Sequence, residues 1–139
     1  MKDNGSTNDR RDLRERTKKF ALRVIRLYVA LPKTTEAQVI GKQLLRSGTS
    51  VGAHYREAFR SRSTAEFISK VGGGLQELEE SSYWMELLVE ADIIPQNRLA
   101  NLQQETGELI AILTACSKKA KRKPPKGKNE SRPSQERSS

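Results

Sequence analysis

The sequence predicts an all-α protein, and three observations support that class. Apolar residues recur at steps of three and four over long segments, which is the period of an amphipathic helix. The alternation of apolar and polar residues that is typical of a half-buried strand is not found. Prolines at 32, 95, 124 and 125 lie between or beyond these segments, where they would begin or end a helix. The pattern therefore predicts an antiparallel up-down-up-down four-helix bundle with short connections.

The first helix is predicted to begin at Arg10 and to stop at Pro32. Its apolar positions, at three- and four-residue steps, are Leu13, Phe20, Val24, Leu27 or Tyr28, and Leu31. Residues 1–9 are polar and rich in Gly, Asn and Ser, so we expect them to be disordered.

The second helix is predicted over residues 35–60. Thr35 and Gln38 have the spacing of a capping box, which predicts the helix start. At about 100° per residue the segment has three faces. The apolar face holds Ala37, Ile40, Leu44, Gly48, Val51, Tyr55 and Phe59, the polar face Gln43, Ser47, Ser50, His54 and Glu57, and the basic face Lys42, Arg46, Arg56 and Arg60. Glycines on this helix predict close approach by a neighbouring backbone.

The third helix is predicted from Thr64 to about Asp92, with Ser63 and Glu66 as a second capping box. Three consecutive glycines at 72–74 predict close packing or a kink. The fourth helix is predicted to begin with Pro95 and to end before Pro124. Its apolar heptad is Leu99, Leu102, Thr106, Leu109, Leu113, Cys116 and Ala120, so we expect Cys116 in the core.

Charge is concentrated at the two ends of the chain. Residues 1–19 hold seven Lys or Arg against four Asp or Glu, and residues 117–139 hold nine against two. Residues 20–116 hold ten against eleven, so the expected folded part is nearly neutral. We therefore divide the chain into a disordered N-terminus (1–9), a four-helix bundle (10–122) and a disordered basic tail (123–139).

Several classes of function are disfavoured by composition. The single cysteine excludes an internal disulfide, and one His with one Cys disfavours a zinc site, so we expect no metal and no cofactor. The chain has neither the apolar run of a signal peptide nor about 20 consecutive apolar residues, so a soluble cytoplasmic protein is expected.

The basic ends are the candidate nucleic-acid-binding residues, because dense positive charge attracts phosphate backbones without reading bases. The alternative is a solvated tail that only promotes solubility. The stronger cluster is Lys118, Lys119, Lys121, Arg122, Lys123, Lys126 and Lys128, and the weaker one is Arg10, Arg11, Arg14, Arg16, Lys18 and Lys19. The basic face of the second helix ranks third.

The polar face of the second helix is interpreted as a structural network. Its members are expected to hydrogen-bond with Glu77 and Glu80 of the third helix and so to fix the register of the two helices. A nucleophilic set of Ser50, His54 and Glu57 is the catalytic alternative, but one straight helix offers no nucleophile elbow. The run VGGGLQE lacks the Lys and Ser/Thr of a phosphate-binding loop. Tyr83 or Trp84 is a candidate anchor for a subunit interface.

One run is specific enough to resemble a known family. Its matching features are Gln43-Leu44, Arg46-Ser47, Ser50-Val51, Glu57, residues 63–67 and residues 77–80, within about residues 17–116. They closely resemble the bacterial four-helix-bundle family encoded by intervening sequences of large-subunit ribosomal RNA genes, also labelled S23 ribosomal protein. The resemblance implies a ring-like homopentamer. The family is also similar to the accessory protein of diversity-generating retroelements, which is basic, binds nucleic acid and works with a reverse transcriptase.

Taken with this resemblance, the residues predict a non-enzymatic, homo-oligomeric helical bundle that binds RNA or DNA non-specifically through its basic ends. A second hypothesis is an oligomeric scaffold for a protein partner, such as a reverse transcriptase or another nucleic-acid enzyme. A hydrolase that uses the polar face is the third.

Overall fold

A computed structural model describes the backbone of residues 2–122 and the side chains of residues 12–122. It contains four helices, α1 (Lys2–Ala30), α2 (Thr35–Phe59), α3 (Thr64–Glu90) and α4 (Gln96–Arg122), and the described residues include no strand. The prediction of an all-α protein with four helices is confirmed. The predicted disordered tail, residues 123–139, lies outside the described residues.

Helix α1 begins at Lys2 rather than at the predicted Arg10. Residues 2–9 contain no proline and a single glycine, so nothing in their composition breaks a helix that continues from Arg10 toward the N-terminus. The start predicted from the apolar pattern was therefore too late, because the pattern detects only turns that bury a side chain. The predicted disorder of residues 1–9 stays a prediction.

The start of α2 corrects the predicted capping box. Thr34, not Thr35, is the N-cap, and its hydroxyl oxygen accepts a hydrogen bond from the Ala37 amide at 3.4 Å. The Gln38 side chain turns away from the helix end, since its Nε2 donates to the Pro32 carbonyl at 2.9 Å and its Oε1 accepts from the Tyr28 hydroxyl at 2.8 Å. Gln38 thus fastens the connection between α1 and α2.

The start of α3 is the predicted one. The Ser63 hydroxyl accepts from the Glu66 amide at 3.0 Å, as an N-cap does. The Glu66 carboxylate accepts from the amide of Arg62 rather than that of Ser63, also at 3.0 Å. The helix then runs through Gly72–Gly74 without a break and ends at Glu90, before the predicted Asp92.

The last connection ends α3 with a left-handed residue and begins α4 after a proline. Asp92 has a φ of 60°, a conformation that Asp adopts more readily than most residues, and it turns the chain out of the helix. Helix α4 begins at Gln96, immediately after the predicted Pro95, whose carbonyl accepts from the Arg98 amide at 3.0 Å. The helix ends at Arg122, before Pro124 as predicted.

Helices that follow one another in the chain pack against each other, and α4 also touches α1 over a small area. Within the described residues the backbones of α1 and α3 do not approach each other, so these two helices lie diagonally across the bundle. The apolar core between the four helices includes Phe20, Val24, Leu44, Val51, Leu78, Met85, Leu88, Leu99, Leu109 and Leu113. Cys116 is half-buried at its edge.

Helix α1 lies close to α2 because α2 carries Gly48 at the position where the Val24 side chain of α1 packs. A Cβ placed on Gly48 would lie 2.8 Å from Val24 Cγ2 and 3.0 Å from Val24 Cγ1. Val24 is fully buried, so its branched side chain occupies the space that any larger residue would need. The space at Gly48 thus accommodates a side chain of α1, whereas a backbone atom of α1 comes near α2 at Gly52, where the Thr17 carbonyl carbon would lie 3.7 Å from an added Cβ.

Candidate nucleic-acid interface

The end of α4 presents four basic side chains to solvent. Lys118, Lys119, Lys121 and Arg122 lie in the last two turns and are all exposed. Within the described residues none of them pairs with a carboxylate. Cations at this position are stabilised by the helix dipole, whose negative end is the C-terminus. The remaining members of the predicted cluster, Lys123, Lys126 and Lys128, lie outside the described residues.

The structure describes only part of the second predicted cluster, which lies on α1. The side chains of Arg10 and Arg11 lie outside the described residues, whereas Lys18 and Lys19 are exposed. Arg14 is exposed as well, and its guanidinium carbon lies 5.9 Å from the centre of the Phe59 ring, within the range of a cation–π contact. The contact places this part of α1 beside the end of α2.

Arg16 belongs to the interior of the protein rather than to a free basic surface. Its Nη2 donates to Glu105 Oε1 at 2.7 Å and to Glu108 Oε1 at 3.0 Å, and its Nε donates to Glu105 Oε2 at 3.1 Å. The hydrogen bond to Glu105 raises the pKa of Arg16. Among the four predicted α1 cations with described side chains, Arg16 is thus the one that forms an ion pair with α4.

The basic face of α2 is partly neutralised. Arg46 donates from Nη2 to Glu80 Oε1 at 2.7 Å, and its Nη1 lies 3.6 Å from Glu77 Oε1. Lys42 and Arg60 are exposed, Arg56 is half-buried, and within the described part of the chain none of these three forms an ion pair. Arg46 therefore joins α2 to α3.

The predicted polar network between α2 and α3 is smaller than expected. The hydroxyl oxygens of Ser47 and Ser81 lie 2.8 Å apart, and both side chains are fully buried. The Ser50 hydroxyl donates instead to the Arg46 carbonyl in its own helix. Gln43 is exposed and has no hydrogen bond within the described residues, so it takes no part in the contact between α2 and α3, and its predicted place in an interfacial network stays a prediction.

Ser81 is the member of this network that the sequence analysis missed. It lies on the buried stripe of α3, one turn from Leu78 and Met85, and its hydroxyl also donates to the Glu77 carbonyl at 2.9 Å. The signal was a small hydroxyl residue at a buried position of the helical pattern of α3, opposite Ser47 on the polar face of α2.

The imidazole of His54 lies between two carboxylates. Its Nδ1 is 3.8 Å from Glu57 Oε1 and its Nε2 is 3.7 Å from Glu77 Oε2, both longer than a hydrogen bond. A Cβ on Gly73 would lie 2.9 Å from the imidazole Nδ1, so the absence of a side chain there makes room for the ring. This glycine allows close packing of α2 on α3 and produces no kink.

Ser50, His54 and Glu57 do not form the arrangement that nucleophilic catalysis uses. A nucleophile is activated by a hydrogen bond to its base. The hydroxyl of Ser50 bonds to the backbone one turn earlier, and the described residues contain no hydrogen bond from it to His54. The described residues also hold no group of His, Cys, Asp and Glu that could bind a metal ion. None of their helices is long and apolar enough to cross a membrane.

Four long helices around an aliphatic core, with a cationic end on α4, define a small all-α helical protein rich in surface charge. Comparison with known proteins then places it in a family. The profile described as 23S rRNA-intervening sequence protein matches residues 11–115. The chain belongs to this family.

A solved structure has the same fold. It is the crystal structure of a protein of unknown function from the S23 ribosomal protein family of Bacteroides thetaiotaomicron VPI-5482. That protein is 34% identical to this one, with a TM-score of 0.74 over 78% of this chain and 97% of the other. None of the curated proteins compared with this chain matches it.

Proposed function

We propose that this protein is a non-enzymatic homo-oligomer that binds RNA or DNA through phosphate contacts at its basic ends, without reading the base sequence. The observation that carries the proposal is the set of four exposed cations on the last two turns of α4, which make no ion pair within the described residues. Charges held in this way remain available to an external polyanion, and their attraction to phosphate does not depend on sequence.

The order of the side-chain contacts supports an up-down-up-down arrangement. Gly52 approaches Thr17 and Gly48 approaches Val24, so position numbers fall along α1 as they rise along α2. Ser47 meets Ser81 and Gly74 approaches Val51, which is the same relation between α2 and α3. Leu113, near Gly74, continues it into α4.

In this arrangement one end of the bundle collects basic residues from three places. The end of α4 lies at the same end as the turn between α2 and α3, which carries the exposed Arg60 and Arg62. Arg14 joins them through its contact with Phe59. The sequence beyond α4 is basic as well, since residues 123–139 hold five Lys or Arg and two Glu.

Assembly would multiply this weak, sequence-independent attraction. In a ring-like homopentamer, as the family resemblance implies, five basic ends act on one nucleic acid. The later contacts then form at a high effective concentration without any new type of interaction. The same ring could serve as a scaffold for a protein partner, which a nuclease-resistant pull-down would support.

Binding to a generic single-stranded RNA, measured by fluorescence anisotropy over a range of salt concentrations, tests the proposal. The test variant replaces the four basic residues at the end of α4 by Gln: Lys118, Lys119, Lys121 and Arg122. The control variant replaces two exposed basic residues at the opposite end of the bundle, Lys33 and Arg98, and the losses of the two variants are compared per charge removed.

We expect the test variant to bind at least about tenfold more weakly, with a slope of log K against log salt reduced by about 3, since each lost phosphate contact removes about 0.7 for a single strand. The control variant should show a much smaller loss of affinity and a much smaller change in the salt slope. Equal losses per charge removed in the two variants would show that net charge alone matters. No binding by the unmodified protein would refute the proposal.

A further inference from the structure

Helix α1 exposes an apolar stripe on its outer face. Leu22, Ile25 and Val29 follow one another at helical spacing and are 40%, 38% and 67% exposed. Exposed basic residues border the stripe, namely Lys18, Lys19 and Arg26. We call this surface the α1 stripe. Single exposed apolar residues are common on proteins, but three in a row on one helix face indicate a contact surface.

Helix α3 exposes a different patch. Tyr83 is 52% exposed and packs edge-on against Trp84, with ring centres 5.0 Å apart. Exposed acidic residues on the same face, one and two turns away, surround it: Glu79, Glu86 and Glu90. We call this surface the α3 patch. A tyrosine held by a neighbouring ring is a typical anchor of a protein interface.

The two surfaces have opposite charge. Residues 12–30, the part of α1 with described side chains, contain six Lys or Arg and two Asp or Glu. Residues 64–90 of α3 contain six Glu and one Lys. An apolar centre with a basic border would thus face an apolar centre with an acidic border. Such complementarity favours contact between unlike surfaces and disfavours contact of either surface with itself.

The two surfaces cannot meet within one chain. Within the described residues the backbones of α1 and α3 do not approach each other, and the residues of the α1 stripe and the α3 patch are exposed rather than turned toward the core. We infer that the α1 stripe of one copy binds the α3 patch of the next copy. Such a contact between unlike surfaces repeats around a ring that closes, or along a filament if it does not. The inference rests on the proposed homo-oligomer and names the surfaces that build it.

Two variants and one control test the inference. The α1 variant carries Leu22→Glu and Val29→Glu, and the α3 variant carries Tyr83→Glu, so that the two altered surfaces repel each other when the variants are mixed. The control is Val39→Glu, because Val39 is an apolar residue on α2 that is 57% exposed and lies on neither surface. All the substituted side chains are exposed, so the fold should survive, and circular dichroism checks the helix content of each variant.

Molar mass is measured by light scattering after size-exclusion chromatography. We expect the unmodified protein and the control to be oligomers, and each test variant to be a monomer at the same concentration. Mixing the two test variants should yield a one-to-one dimer and nothing larger, because the mixture offers one intact α1 stripe and one intact α3 patch.

Four other outcomes would overturn the inference. If both variants keep the mass of the unmodified protein, assembly uses other surfaces. If only one variant dissociates, or if the mixture stays monomeric, the two surfaces do not bind each other. An unmodified protein that is itself a monomer would refute the proposed homo-oligomer too, which distinguishes that failure from a wrong choice of surface.

Discussion

Arg16 on α1 and Glu105 on α4 form a two-point ion pair across the least extensive helix contact of the bundle. Nη2 and Nε of Arg16 donate to the two carboxylate oxygens at 2.7 and 3.1 Å. Both side chains are largely shielded, at 26% and 18% exposure. Because α1 and α4 touch over only a small area, this pair is the main polar link between the first and last helices.

Replacing Arg16 by Met should destabilise the protein by about 1 to 2 kcal/mol. The change leaves the half-buried Glu105 carboxylate without its donors, and a hydrogen bond to a charged group contributes about 1.5 to 3 kcal/mol before the partial exposure of this pair is considered. Urea unfolding followed by circular dichroism measures the loss. Arg26→Met is the matched control on the exposed face of α1 and should change stability by less than about 0.5 kcal/mol. Equal effects of the two substitutions would show that the ion pair adds nothing.

Acid should weaken the same junction through Glu108. Hydrogen bonds donated by Gln104 and Arg16 lower the pKa of this carboxyl. A carboxyl with a lowered pKa stabilises the fold above its ordinary pKa, and that stabilisation is lost as pH falls through the folded value. Glu108→Gln should therefore lose less stability than the unmodified protein between neutral pH and about pH 3. Unfolding midpoints in urea at several pH values measure this, and parallel curves would contradict it.

Gly48→Ala should destabilise the protein although alanine favours helices. The new methyl group would lie 2.8 Å from a Val24 methyl group that is fully buried, so α1 must shift. Overpacking of this kind costs about 1 to 3 kcal/mol.

Gly72→Ala is the matched control for Gly48→Ala, because nothing lies within 4 Å of the added carbon. That substitution should stabilise α3 by up to about 1 kcal/mol. Thermal unfolding of the two variants should thus shift in opposite directions. A shift in the same direction would show that the packing around Gly48 is looser than described.

The Ser47–Ser81 pair should act as a unit. Ser47→Ala or Ser81→Ala each removes one partner of a buried hydrogen bond and should cost about 0.5 to 1.5 kcal/mol. The double substitution should cost less than the sum of the two, because the second change leaves no unpaired hydroxyl behind. A double-mutant cycle from urea unfolding measures the coupling. Strict additivity would mean that the two hydroxyls do not depend on each other.

Most of the fold could be predicted from local signals in the sequence. Prolines at 32 and 95 separate helices, Ser63 begins one, and most positions of the apolar stripes are buried, although Phe59 is 42% exposed and Ala58 is buried beside it. The cap of α2 was misplaced because Thr34 and Thr35 are adjacent and both can cap. The spacing to Gln38 favoured Thr35, but Tyr28 and Pro32 bind the Gln38 side chain from outside the helix.

Contacts between helices that are far apart in the sequence could not be predicted from such local signals. Arg16 was grouped with solvent-facing cations because its neighbours in the sequence are charged, and its partners lie about 90 residues further along the chain. A helical wheel assigned Gln43 to the polar face of α2 but did not tell which part of that face α3 covers. It covers Ser47 and leaves Gln43 exposed. Which residues a neighbouring helix covers depends on the register between the two helices. The pattern of a single helix does not give that register.

The glycines at the α1–α2 contact also limit how this protein can change shape. The Val24 side chain packs against Gly48, and Thr17 packs against Gly52 one turn further along α2. If α1 slid along α2 by a single position, Val24 would meet a neighbour that carries a side chain. Sliding of α1 along the axis of α2 is therefore blocked sterically, so a change of shape at this contact must use another motion, such as a change in the crossing angle of the two helices.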